Sequence, residues 1–148
     1  MARGYLQVDV AQHLADTYGD RAWAVCSMAE PTGLRWPVHG IRLDPVYPYI
    51  EAEVTFACRR EYAATAVDVI ARRTRLSFLN SEAALEALPK VIDMMSKELG
   101  WNKERMEKEF REGTEFLQSM GLSAKRMEGY TLEDVRAGVR LILSRSTT

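Results

Sequence analysis

The sequence is poor in cysteine. Two cysteines in 148 residues cannot build a disulfide framework, so a reducing compartment is expected. Long hydrophobic runs are missing too: no stretch of 18 apolar residues occurs, which excludes a membrane-spanning helix. Neither sign of charge dominates. Twenty Lys and Arg stand against 21 Asp and Glu, a formal net charge of −1, which excludes a uniformly basic nucleic-acid binder and an acidic disordered tail. Chemical motifs are equally scarce. GxGxxG, Walker A, HExxH, CxxC, GxSxG and the EF-hand calcium loop are all absent. His13 and His39 have no metal-ligand spacing to Cys26 or Cys58, and both cysteines fall on apolar faces, as packed thiols do. The N-terminal Met-Ala-Arg-Gly-Tyr lacks the apolar stretch of a signal peptide, and so abrupt a start reads as a boundary cut from a longer chain.

What is present is ordinary globular material, 47% hydrophobic and 28% charged. A chain of this length buries roughly 68–70% of its unfolded surface. Almost every segment has helical period, so the fold class is all-α, a compact domain of about six helices. Asp9 reads as an N-cap, followed by Ala11, Leu14, Ala15 and Tyr18 on one face and closed by Gly19. Asp20 reads as the next cap, ahead of Ala22, Val25, Cys26 and Ala29. Residues 31–48 break the pattern. Four of the five prolines (Pro31, Pro37, Pro45 and Pro48) lie here and predict an extended connection. Its Leu34, Trp36, Val38, Ile41, Leu43 and Tyr47 predict that it is pinned to the helical body or to another domain.

Helix resumes from Tyr49 to Glu61, with Ile50, Val54, Ala57 and Cys58 on its buried face. Thr65 and Asp68 have capping-box spacing, with a helix running to Arg72 and Arg73. Asn80 or Ser81 caps the strongest helix, whose seam is Leu85, Leu88, Ile92, Met95 and Leu99; Pro89 predicts a kink or a split in it. Gly100 ends that helix and Asn102 caps the next, whose apolar positions are Met106, Phe110, Leu117 and Met120, with Gly121 closing it. Residues 122–148 read as a linker and a terminal helix, with a capping box at Thr131 and Asp134 and a stripe of Leu132, Val135, Val139 and Ile142.

Arg72, Arg73 and Arg75 form the densest positive cluster. Its simplest account is a helix C-terminus with an Asp68–Arg72 pair at i,i+4. The other is recognition of a phosphate or a carboxylate surface. Trp36, Tyr47 and Tyr49 read either as loop anchors or as an aromatic docking surface. Glu51, Glu53 and Glu61 read as solvated helix-end charges paired with Arg59, Arg60 or Arg72. The helix over Lys103–Gln118 reads as a charged, solvated face.

Five stretches carry more than composition: Thr17-Tyr-Gly-Asp-Arg-Ala; Thr32-Gly-Leu-Arg-Trp-Pro37; Tyr47-Pro-Tyr-Ile-Glu-Ala-Glu-Val54; Glu61-Tyr-Ala-Ala-Thr-Ala-Val-Asp-Val-Ile-Ala-Arg-Arg-Thr-Arg-Leu76 with Phe78-Leu79-Asn80; and Ala84-Leu85-Glu86-Ala87-Leu88-Pro89. Together, over roughly residues 10–121, they resemble the C-terminal domain of mitochondrial-type FAD-dependent glycerol-3-phosphate dehydrogenases, relatives of the bacterial α-glycerophosphate oxidases. The resemblance implies a parent enzyme that oxidises sn-glycerol 3-phosphate to dihydroxyacetone phosphate, with FAD taking the hydride and quinone or oxygen the electrons. It implies that residues 1–121 form the helical C-terminal domain, and that the rest of the enzyme supplies FAD and the catalytic residues, so this chain has no catalytic, cofactor-binding or metal residue of its own. Calcium-binding EF-hands follow the domain in mitochondrial members; residues 122–148 contain no such loop.

The partners it implies are the N-terminal FAD-binding and substrate domains, with a homodimer or a membrane-facing surface as further contacts and no nucleic acid. The candidate inter-domain contacts are Arg72, Arg73 and Arg75, then Trp36 and Tyr49. The location it implies is the mitochondrial inner membrane, or the cytoplasmic membrane in a bacterium. Two other readings stand beside this one: a freestanding helical module that binds an acidic protein, and a helix-turn-helix using residues 72–75.

Overall fold

The computed structural model describes residues 5–34, 38–127 and 131–133. The chain falls into two compact units, residues 1–63 and 64–148. As expected of an all-α chain, helices dominate; among the described residues the strands are a two-residue parallel pair.

The first unit holds β1 (Tyr5–Leu6), α1 (Val8–Tyr18), a 3₁₀ turn (Gly19–Arg21), α2 (Ala22–Ser27), β2 (Val38–His39) and α3 (Glu51–Arg60). Val10, Leu14 and Tyr18 of α1 pack with Val25, Ile50, Ala52 and Phe56, whereas the expected Ala11 and Ala15 are exposed. Neither expected aspartate caps a helix. Gln7 occupies the N-cap of α1, and Asp9 turns instead to Arg42, with Oδ2 2.7 Å from Nη2. Asp20 sits inside the 3₁₀ turn, because Gly19 at φ 57° ends α1 and the chain coils again at once. The proline-rich connection is pinned down as expected. β1 pairs with β2, Leu43 N donates to Tyr49 O at 2.9 Å, and Leu43 and Asp44 are buried. Gly40, at φ 92°, brings its backbone against Leu6 and Ile50, where a β-carbon would lie 3.3 Å from Leu6 Cδ2. Leu34 stays exposed, and Trp36 lies outside the described residues.

In the second unit, Thr65 and Asp68 form the expected capping box: Thr65 N donates to Asp68 Oδ2 and Asp68 N to Thr65 Oγ1. The helix that follows becomes a π-helix over Asp68–Arg73 rather than an α-helix. The Thr74 amide and hydroxyl both donate to Val69 O, at 2.9 Å each, which shifts the ladder to five-residue spacing. Next come α4 (Leu76–Leu79), α5 (Ser81–Leu99), α6 (Lys103–Ser119) and α7 (Ala124–Met127). Asn80 Oδ1 accepts from Glu82 N and Ala83 N, Asn102 Oδ1 accepts from Arg105 N, and Gly100 ends α5 in the left-handed conformation.

α5 runs unbroken through Pro89. A proline inside a helix costs about 3 kcal/mol. Leu88, Val91 and Ile92 beside it are fully buried, and each such side chain returns about 1.5–3 kcal/mol, so packing prevails. The seam is shorter than its periodicity suggests. Leu88, Ile92 and Met95 are buried, Leu85 is half-buried and Leu99 is exposed, while Ala84, Ala87 and Val91 widen the buried face. α6 buries Phe110, Gly113 and Leu117 but leaves Met120 exposed. Of the expected last stripe, only Leu132 is described, and it is buried.

α5 and α6 approach closely at Gly113, where a β-carbon would come within 2.9 Å of Leu88 Cδ2. Leu88→Ala is expected to destabilise by about 2–5 kcal/mol and Asn102→Ala by only about 0.5–2 kcal/mol. Gly113→Ala should cost about 1–3 kcal/mol by overpacking, and distinctly less in the Leu88→Ala background. Urea denaturation of the two single variants and the double variant measures the coupling. Simple additivity would mean that the two helices do not meet there.

Candidate functional site

The most enclosed charge in the first unit is Glu53, 1% exposed. It is the third residue of α3, from which a carboxylate reaches back to the start of its own helix. Ile50 N donates to Oε2 at 2.7 Å. On the other oxygen, Tyr18 Oη donates at 3.0 Å and His13 Nε2 lies 2.7 Å away. His13 and Tyr18 stand five residues apart on α1, so one carboxylate ties α1 to α3. His13 also meets Tyr49 edge-on, with ring centroids 4.8 Å apart, and Tyr49 stacks on Tyr47. This corrects the expectation of a solvated Glu53. Protein donors surround its carboxylate and little solvent reaches it, so its role is to position helices. Glu61 forms the expected kind of surface pair, with Arg21 as its partner at 3.3 Å.

A matching correction holds in the second unit. α6 is charged but not wholly solvated, because Glu109 is 1% exposed. Its Oε2 accepts from Ala66 N at 2.8 Å and its Oε1 from Arg105 Nε at 2.8 Å. Arg105 in turn lies over the Trp101 ring, 5.2 Å from its centroid.

The arginine cluster occupies the end of the π-helix and the turn after it. Arg72 Nη1 donates to Asp68 Oδ1 at 2.6 Å, the i,i+4 pair read from the sequence. Arg73 is half-buried. Arg75 is exposed and takes up the left-handed conformation, φ 58° and ψ 15°, at the start of α4. The three side chains are therefore presented differently. Tyr49 is 9% exposed, with its ring engaged by His13 and Tyr47. The structure gathers the three arginines on one short segment of the second unit and places Tyr49 in the first.

The remaining chemistry is modest. Cys26 and Cys58 are half-buried and form no disulfide, and burial pushes the Cys26 thiol up. Among the described residues no three His, Cys, Asp or Glu side chains are grouped to hold a metal, and no helix is long and apolar enough to cross a membrane. A flavin dinucleotide needs a glycine-rich turn leading from a strand into a helix to cradle its pyrophosphate. Among the described residues the two-residue strands lead into no such turn.

Two carboxyls are held below their usual range. The Arg42 hydrogen bond and charge do this for exposed Asp9, against a smaller effect of burial. At Asp68 partial burial pushes upward, but the amides of Ala64 and Thr65, the Thr65 hydroxyl and Arg72 outweigh it. A lowered native pKa adds stability that is present above the unfolded value of about 3.9 and is lost as pH falls through the native one. The stability gap between wild type and Asp68→Asn should therefore shrink between pH 7 and pH 3. Denaturation curves at the two pH values check this, and an unchanged gap would refute it.

Residues 1–106 match the family described as the C-terminal domain of alpha-glycerophosphate oxidase. The chain is 56% identical over 112 residues to the mitochondrial glycerol-3-phosphate dehydrogenase of Rattus norvegicus, a match covering 76% of this chain and 15% of that protein. It is 52% identical over 122 residues to a probable mitochondrial glycerol-3-phosphate dehydrogenase of Caenorhabditis elegans, covering 82% and 17%. A probable enzyme of the same name in Dictyostelium discoideum is 46% identical over 115 residues, covering 78% and 17%. The chain thus spans only 15–17% of the length of these relatives. No solved structure matches it significantly. Since the family model matches residues 1–106, more than half of its length, the chain belongs to the family of alpha-glycerophosphate oxidase C-terminal domains.

Proposed function

We propose that this chain serves as the architectural C-terminal domain of a mitochondrial FAD-dependent glycerol-3-phosphate dehydrogenase. The observation that carries the reading is 56% identity over 112 residues to the rat enzyme, of which the match covers 15%. The whole enzyme would oxidise sn-glycerol 3-phosphate to dihydroxyacetone phosphate at the inner membrane and pass electrons to quinone. FAD, when bound by the rest of the enzyme, supplies the hydride chemistry. The part played by this chain is to fold autonomously and pack against the FAD-binding and substrate domains. Residues 1–121 form the docking body, and 122–148 a linker and terminal helix. Arg72, Arg73 and Arg75 are the leading contacts, with Trp36 and Tyr49 next.

The purified 148-residue chain should bind no FAD and oxidise no glycerol 3-phosphate. Absorption spectroscopy and a dye-reduction assay test this, and a yellow protein with a flavin band would refute it. Arg75→Ala should barely shift the melting temperature of the chain alone, since an exposed arginine contributes about 0–1 kcal/mol. In the full-length enzyme the same change should lower turnover or domain association, because truncating one partner of a buried charge pair costs about 2–5 kcal/mol. Wild-type behaviour of full-length Arg72, Arg73 and Arg75 variants would leave the cluster as a solvated helix end.

A further inference from the structure

The second unit leaves an apolar stripe in the open. Phe78 and Leu79, adjacent on α4, are each 58% exposed. Phe78 stands edge-on to Phe116 of α6, with ring centroids 6.4 Å apart. Met120, 40% exposed, follows Phe116 by one helical turn and so continues its face. Singly exposed apolar side chains are common on a folded domain, but here Phe78 meets Phe116, which connects the exposed positions into one apolar patch, the kind of feature that marks a contact surface. The stripe is also held in place. Leu76 and Ser77, on the same short turn, are buried, which anchors α4 and fixes where Phe78 and Leu79 stand.

Arg75 opens that turn in a backbone conformation that non-glycine residues rarely adopt, and such residues gather at functional surfaces. Its side chain is exposed, and among the described residues no hydrogen bond or ion pair engages it. An arginine beside exposed aromatic and aliphatic anchors is the composition found at the energetic centres of protein interfaces.

We infer that the Phe78–Leu79–Phe116–Met120 stripe, with Arg75 at its edge, seats the part of the enzyme polypeptide lying outside residues 1–148, through an apolar surface carrying a carboxylate opposite Arg75. This rests on the architectural reading above and names the surface that performs it. The relatives leave abundant chain to fill the place, since the match covers 15–17% of their length. Charge selects a protein over a bilayer. On α6, Glu115 is exposed immediately before Phe116, and Glu112, one helical turn before it, is exposed and paired with Lys108 at 3.6 Å, so these side chains add no attraction for anionic lipid beside the stripe. A protein surface can match Arg75 and these carboxylates separately.

The test uses the full-length enzyme with a protease site inserted before residue 1. After cleavage, gel filtration measures whether the domain stays with the flavin-bearing body. The wild-type domain is expected to co-elute. Phe78→Ser with Leu79→Ser, and separately Arg75→Glu, should each weaken retention at least about tenfold. The melting temperature of each released domain should stay at the wild-type value, which excludes misfolding as the cause. If both variants co-elute as wild type does, the stripe is not the seat, although the architectural reading survives. If the wild-type domain itself falls away, both fail. Sedimentation of the wild-type domain with phosphatidylglycerol vesicles, lost in the double variant, would overturn the inference in favour of a membrane. Elution of the released wild-type domain as a dimer that the double variant breaks would overturn it in favour of a second copy.

Discussion

A carboxylate shut away from water has to be met by donors, and Glu53 dictates much of the first unit for that reason. Removing an ion of this size from water costs several kcal/mol unless its lone pairs are filled. Three groups fill them: the Ile50 amide, the Tyr18 hydroxyl and the His13 ring. Each demands something of the chain. The Ile50 contact fixes the first turn of α3. The His13 and Tyr18 contacts need α1 to lie over that turn with one particular face inward, the face that also buries Val10 and Leu14. Removing the carboxylate takes an acceptor from the buried Ile50 amide and the contact that holds α1 to α3 at His13 and Tyr18.

The second unit uses the same device in another setting. Glu109 projects from the inner face of a highly charged helix and accepts the amide of Ala66, where the helix after the capping box begins. Arg105, one turn earlier on α6, takes the other oxygen and rests over Trp101. The start of the unit is thereby joined to the middle of α6 by a polar contact, while Leu88 and Gly113 join α5 to α6 by close apolar packing.

These two carboxylates mark where the sequence stopped being legible. Caps are local, and they were readable: Asn80, Asn102, Gly100 and the Thr65–Asp68 box each act within a few residues of themselves. Strong periodicity also served, since Leu88, Ile92 and Met95 stand where helical spacing puts them. Glu53 and Glu109 looked like surface charges because the partners that draw them inward, His13, Tyr18 and Ala66, lie 35 to 43 residues away, and no helical period links such positions. One signal was available for Glu53, its place three residues after the Ile50 N-cap, where a carboxylate returns to the backbone. The π-helix was hidden for a different reason. It depends on Thr74 directing both its donors to Val69, and a side-chain choice of that kind leaves no trace in hydrophobic spacing. The Asp68–Arg72 pair was legible from its i,i+4 spacing, but the left-handed backbone of Arg75 was not foreseeable from residue type.

The pinned connection of the first unit also bears on the order in which the chain acquires structure. The tethers of this unit join residues far apart: Asp9 to Arg42 of the connection across 33 positions, and His13 to Glu53 of α3 across 40. Each requires a long loop to close before any gain is realised, which slows the search. α5 and α6 instead form a helical hairpin through the short turn at Gly100–Asn102, and such local pairs form early. On a chain emerging from the ribosome, the segment made first therefore has the slower closure and the segment made later the faster one, so the two units reach their native contacts closer together in time than their order of synthesis would suggest.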